Sequence, residues 1–250
     1  MSDTSADRPL RIGLLQCGHL HPDLVPGHGD YPELFGALLA PHWIELTTWD
    51  VVDGPVPDSP RACDGWVVSG SADSVYDPLP WIAATEQFLR DVVAAEVPLV
   101  AICFGHQLLA QAFGGRVERS PEGWGVGVHT YELVGDAPDW MRPIDADGQV
   151  HLIASHQDQV VELPEGAEVI ARTEHCRVAA YTFGPNALAI QPHPEFGAEI
   201  SRGLVERRRE LIGAATADAA LASLDEPVDQ AEVASWMATF LRLAASQATA

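Results

Sequence analysis

Eleven consecutive residues, Val97-Pro-Leu-Val-Ala-Ile-Cys-Phe-Gly-His-Gln107, constrain the fold of this chain more than any other stretch. Leu99 to Ile102 is a short apolar run with β-branched residues, and Leu108, Leu109, Ala112 and Phe113 follow at helical spacing. The segment therefore reads as a buried strand feeding directly into a helix. Cys103 stands at the joint. A side chain held in so sharp a turn projects above the sheet edge, and small residues must lie close by so that strand and helix can approach; Ala101 and Gly105 supply them. The pattern is a nucleophile elbow with cysteine in place of serine. The first amides of the following helix would favour a thiolate and could hold an oxyanion. A lone cysteine at the end of a core strand is also ordinary core filling, so partners elsewhere in the chain must decide between the two.

At 250 residues the chain can form one large α/β domain or two small ones, and it can bury a sizeable core without staples. Its four cysteines, Cys17, Cys63, Cys103 and Cys176, are far apart with no Cys-x-x-Cys pair, which gives no support to a disulfide framework, a metal finger or a thioredoxin-type site. The N-terminus is polar, without a signal-type apolar segment, and no run of eighteen apolar residues follows, so a cytoplasmic location is expected. A net charge of -22 would repel both nucleic acid and an anionic membrane. All 14 basic residues are arginine, and the absence of lysine removes Schiff-base chemistry, a pyridoxal anchor and a Walker-type phosphate loop.

Taken in order, Leu10 to Gln16 reads as a first core strand after a disordered stretch over 1–9. A loop from Cys17 to Asp30 carries His19, His21 and His28, placed near the mouth of a site rather than gathered on a metal, and Tyr31 to Ala40 reads as a helix. Strands are expected at His42–Asp50 and Gly65–Ser69, the latter ending in Gly70-Ser71, whose amides would face the same pocket as Cys103. A helix over Trp81–Ala95 leads back to the elbow. This alternation predicts an α/β fold with a largely parallel sheet, helices on both faces and ligands at the carboxyl ends of the strands. A β-rich block from Gly123 to Gln191 should add antiparallel strands on one side. Ala198–Ile212 reads as a helix with Ile200, Leu204 and Leu211 inward and Arg207-Arg208-Arg209 solvated, and Ala231–Ala244 as a final amphipathic helix that caps the core or, alternatively, meets a second copy in a homodimer. A single domain over 10–250 is expected, with a helical extension from about 214.

The second half of a reactive centre lies ninety residues beyond Cys103, in Gln191-Pro-His-Pro-Glu-Phe-Gly. Pro192 and Pro194 keep the segment extended, so His193 and Glu195 project to the same side. A carboxylate beside an imidazole fixes its tautomer and stabilises the imidazolium, and an imidazole within reach of a thiol makes a nucleophile. Cys103, His193 and Glu195 thus form the nucleophile, base and orienting acid of an acyl-transfer triad. A surface His-Pro-Glu turn is the plain alternative.

The motifs Ala101-Ile-Cys-Phe-Gly-His-Gln, Ser69-Gly-Ser, Ser155-His-Gln-Asp and Pro192-His-Pro-Glu, in this order and spacing, resemble the class I glutamine amidotransferases, especially the free-standing GMP synthase-like branch, over Leu10 to Arg209. The resemblance implies a flavodoxin-like three-layer sandwich with a mixed, mostly parallel central sheet, and hydrolysis of the glutamine γ-amide through a γ-glutamyl thioester without metal or organic cofactor. It also implies an oxyanion hole from the amides of Gly70 or Ser71 and Phe104, and substrate contacts from Gln107, Ser155, His156 and Gln157. Ala101 stands where the family often has glycine, and no synthetase domain that would consume ammonia is present in the sequence. A separate synthetase subunit, or a γ-glutamyl peptidase or hydrolase with no ammonia acceptor, are the two ways to read that. An idle regulatory or binding relative, and a cysteine esterase of the dienelactone-hydrolase type, are the remaining classes.

Overall fold

The computed structural model describes residues 8–135, 138–141 and 148–248, so most of the stretch expected to be disordered, 1–7, lies outside the described residues. The organising unit is a nine-stranded sheet in the order β2-β1-β3-β4-β11-β10-β9-β6-β7. Its parallel part comprises β2 (Ile44–Asp50), β1 (Leu10–Gln16), β3 (Gly65–Val68), β4 (Leu99–Ile102) and β11 (Ala187–Ile190). From β11 outward, β10 (Ala180–Phe183), β9 (Ala167–Arg172), β6 (Gly125–Leu133) and β7 (Gln149–His156) pair antiparallel. The expected α/β class and mixed sheet are therefore present.

Period-two alternation sends residues of one strand to opposite cores. In β4, Val100 and Ile102 enter a cluster with α2 (Tyr31–Leu39), α5 (Ala198–Arg207) and α8 (Gln230–Ala248), whereas Leu99 and Ala101 enter one with α3 (Pro80–Ala94) and α4 (Phe104–Ala112). Helices thus cover both faces, and strands such as β3 and β4 are buried throughout. The final helix belongs to the core of this chain: Val233, Trp236, Met237, Phe240 and Leu241 are buried against the sheet.

The structure corrects three expectations. Arg116–Arg119, not expected as a strand, forms β5 and pairs antiparallel with β8 (Asp158–Glu162) in a separate two-stranded sheet. The helix over 198–212 breaks at Arg208 into α5 and the single-turn α6 (Arg209–Ile212). That break shifts the helical phase, so Leu211 is 75% exposed while Ile212 turns inward. The shift also takes Arg208 out of the solvated run: it is only partly exposed and lines the cavity described below. The Ala-rich stretch that follows forms α7 (Ala214–Ser223), packed on β6, and a single turn, α1 (Val25–His28), sits in the His-containing loop.

Candidate active site

Cys103 occupies the turn between β4 and α4 with φ 52° and ψ -100°, left-handed backbone that a non-glycine residue adopts only where its surroundings hold it there. Two bonds do so: its amide donates to the Ile190 carbonyl at 2.8 Å, and its own carbonyl accepts from the Gln107 amide at 3.1 Å. The helix can begin this close to the sheet because residue 105 is glycine. A Cβ there would fall 2.8 Å from the Val68 Cβ. The thiol is 5% exposed and faces a cavity. The other cysteines are different. Cys17 and Cys176 are buried away from it, and desolvation pushes the Cys17 thiol up and the Cys176 thiol up to about 12.

Residue 193 reaches this point because β11 pairs parallel with β4, Ile190 opposite Ile102, so the chain leaving β11 passes beside the elbow. The His193 amide then donates to the Ile153 carbonyl at 2.9 Å, and its ring stacks on Phe196 with centroids 4.0 Å apart and planes 2° from parallel. Nδ1 lies 2.7 Å from Glu195 Oε1, which leaves Nε2 for the sulfur of Cys103. Both the histidine and the glutamate are buried. Burial alone would lower the His193 value. The negative charges of Cys103 and Glu195, with hydrogen bonds to both, outweigh it and raise the imidazolium to about 10. The segment is clamped from outside by Gln230 at the start of α8, whose amide donates to the Pro194 and Phe196 carbonyls at 2.8 and 2.6 Å.

Residue 70 must also be small. A Cβ on Gly70 would lie 3.0 Å from His193 Cε1 and 2.9 Å from the Tyr31 hydroxyl. Among the described residues no acceptor takes the amides of Gly70, Ser71 or Phe104, so all three remain available as donors. The remaining sequence-predicted residues gather here too. Ser71, Phe104, Gln107, Ser155, His156 and Gln157 line one cavity with Cys103, of about 130 Å³. Gln107 is less free than expected, because its NH2 group donates to the Asp158 carbonyl at 2.9 Å and to Gln191 Oε1 at 3.1 Å; its carbonyl is what it can offer a ligand. His156 Nδ1 is 3.2 Å from the Asp158 carbonyl, and desolvation with neighbouring imidazoles lowers it to about 3, so it is a neutral ring.

A second cavity, of about 320 Å³, adjoins the first along Ser71, Ala72, Ser155 and Arg208, and His193 lines it. Leu20, Tyr31, Phe196 and Leu204 form its apolar wall, and His19 and His21 stand at it as the loop reading expected. His19 Nδ1 is 2.8 Å from Asp30 and Nε2 is 3.3 Å from Asp50; with Asp53 this places three donor atoms within 4.8 Å of one another. Burial opposes a charge on His19, but Asp30, Asp50 and Asp53 outweigh it and raise its value, so the ring is held as a cation between carboxylates. His28 closes α1. Sequence reasoning missed Arg208, Trp124 and Tyr31. Arg208 lies over the Trp124 ring at 5.6 Å and donates to Ser155 Oγ at 3.4 Å.

The family model for glutamine amidotransferase class I matches residues 46–205. The chain is 30% identical to gamma-glutamyl peptidase 4 of Arabidopsis thaliana, over 72% of its own length and 73% of that protein's. It is 31% identical to the glutamine-hydrolyzing GMP synthase subunit of Halobacterium salinarum, over 70% and 88% respectively. The crystal structure of a glutamine amido transferase from Methylobacillus flagellatus superposes with a TM-score of 0.69 at 25% identity, covering 96% of this chain and 95% of that one. With an elbow cysteine, an extended histidine-glutamate pair and an α/β sheet that brings them to one cavity, the chain belongs to the class I glutamine amidotransferase family.

Proposed function

We propose that this chain cleaves the C–N bond of a γ-glutamyl amide, with glutamine as the smallest such substrate, and that Cys103, His193 and Glu195 do the chemistry. The observation that carries the reading is one buried imidazole held between a carboxylate and a thiol at the wall of a cavity. With the imidazolium favoured at neutral pH, the resting pair is thiolate and cation. Sulfur attacks the γ-carbonyl, and the oxyanion forms against the amides of Gly70 or Ser71 and Phe104. His193 gives its proton to the departing nitrogen, so amine or ammonia leaves and a γ-glutamyl thioester remains on Cys103. The now neutral ring takes a proton from water. Hydroxide adds to the thioester, glutamate departs, and the thiolate-imidazolium pair is restored. Glu195 keeps the tautomer and carries the charge of the cation through both steps.

The relative from Halobacterium is by name the glutamine-hydrolysing part of GMP synthase. By analogy, ammonia released from glutamine by this chain would pass to a synthetase on a separate polypeptide. The Arabidopsis relative is by name a peptidase, which needs no such acceptor. Incubating the purified chain with glutamine and a panel of γ-glutamyl peptides, with ammonia and glutamate measured separately, tests the proposal. Glutamate release that disappears in Cys103→Ala is the expected result. Equal release by wild type and Cys103→Ala would refute it.

A further inference from the structure

The two cavities divide the scissile bond between them. Cys103 lines only the smaller, and His193 only the larger, so the acyl group belongs on the Cys103 side and the departing amine on the His193 side. Ammonia, similar in size to a water molecule at ~30 Å³, would fill about a tenth of that amine chamber. Its wall of Leu20, Tyr31, Phe196 and Leu204 suits a hydrocarbon side chain.

The chamber also carries one uncommitted cation. In a chain of net charge -22, Arg90 is paired with Glu86, Arg116 with Glu162, Arg172 with Glu132 and Arg209 with Asp218. Within the chamber Arg207 is held by Asp23 at 2.6 Å, His21 lies against Arg207, and His19 is taken by Asp30 and Asp50. Arg208 has no carboxylate partner among the described residues; a serine hydroxyl and an indole face hold it over the cavity. A half-buried guanidinium left without an anion in an acidic protein is a receptor for a carboxylate brought by the ligand.

We infer that the preferred substrate is a γ-glutamyl dipeptide whose second residue is apolar and keeps a free carboxylate, with Arg208 receiving that carboxylate. This rests on the Cys103–His193 reading above. The test compares kcat/KM for glutamine, γ-glutamyl-leucine and γ-glutamyl-leucine amide in wild type, Arg208→Gln and Arg208→Lys. The wild type should prefer the free acid over both other compounds by about tenfold or more, the usual reach of a charge-assisted bond. In Arg208→Gln the ratio of acid to amide should fall to near one, and Arg208→Lys should restore part of it. Glutamine cleaved as well as the dipeptide, acid and amide cleaved alike by the wild type, or a ratio untouched in Arg208→Gln would each overturn the inference while leaving the triad in place. Cleavage of none of the three would overturn the triad reading together with it.

Discussion

Replacing Gly70 by alanine tests the geometry at its tightest point. The new methyl would sit 3.0 Å from His193 Cε1 and 2.9 Å from the Tyr31 hydroxyl, both buried and neither on a flexible stem. Carbon atoms in contact prefer about 3.5–4.0 Å, so the imidazole must give way by roughly 0.5 Å. A misplacement of about 1 Å costs on the order of 100-fold in rate, which makes about tenfold the expected loss in kcat/KM here. Stability should suffer far less. Overfilling costs about 1–3 kcal/mol, and the smaller unfolded-state entropy of alanine returns about 0.4–1 kcal/mol, because Gly70 does not need left-handed backbone. A net loss near 1 kcal/mol lowers Tm by about 2–4 °C in a chain of this size. Gly36→Ala is the control, since nothing lies within 4 Å of a Cβ at that position in α2. The assay is glutamate release at several substrate concentrations, with thermal unfolding in parallel. Gly70→Ala with kcat/KM within twofold of wild type would show that His193 has slack, and the reasoning from close contact would fail.

Gln230 is a positioning residue. Gln230→Ala should lower kcat about fivefold to tenfold with KM little changed, because the Pro194 and Phe196 carbonyls lose their clamp while the cavity keeps its lining; an effect confined to KM would contradict this. NMR titration of His193 should find it charged through neutral pH and deprotonating near 10, and Cys103→Ala should lower that value by removing the larger of its two favourable charges. The folded value lies above the unfolded one of about 6.5, so this charge stabilises the fold fully below that pH and the contribution is lost as pH rises towards about 10. Denaturant midpoints of wild type and His193→Gln that keep a constant gap from pH 6 to 10 would count against the assignment.

The site was readable in the sequence because each half is local. The elbow announces itself through a four-residue apolar strand, small residues at 101 and 105 and a helix, and Pro-His-Pro-Glu through the forced extension that puts 193 and 195 on one side. Their meeting follows from the parallel pairing of β4 with β11, which α/β topology makes a natural expectation. What stayed hidden depends on distant partners. Arg116–Arg119 has one buried residue in four, so nothing apolar marked it as a strand until β8 supplied its mate. Arg208 sits in a run of three arginines that reads as a wet helical face, and only the break in the helix at that residue turns it towards Trp124 and the cavity. Gln230 carries no local sign of its task, because the carbonyls it holds lie 34 and 36 residues earlier.

The central claim is that acyl transfer passes through the sulfur at the elbow. Acid-quenched protein, sampled during turnover of γ-glutamyl-leucine and digested for mass spectrometry, measures it directly. The account predicts a glutamyl adduct on the peptide carrying Cys103 and on none carrying Cys17, Cys63 or Cys176, lost in Cys103→Ala together with turnover. Full turnover in Cys103→Ala, or an adduct on another residue, would contradict it.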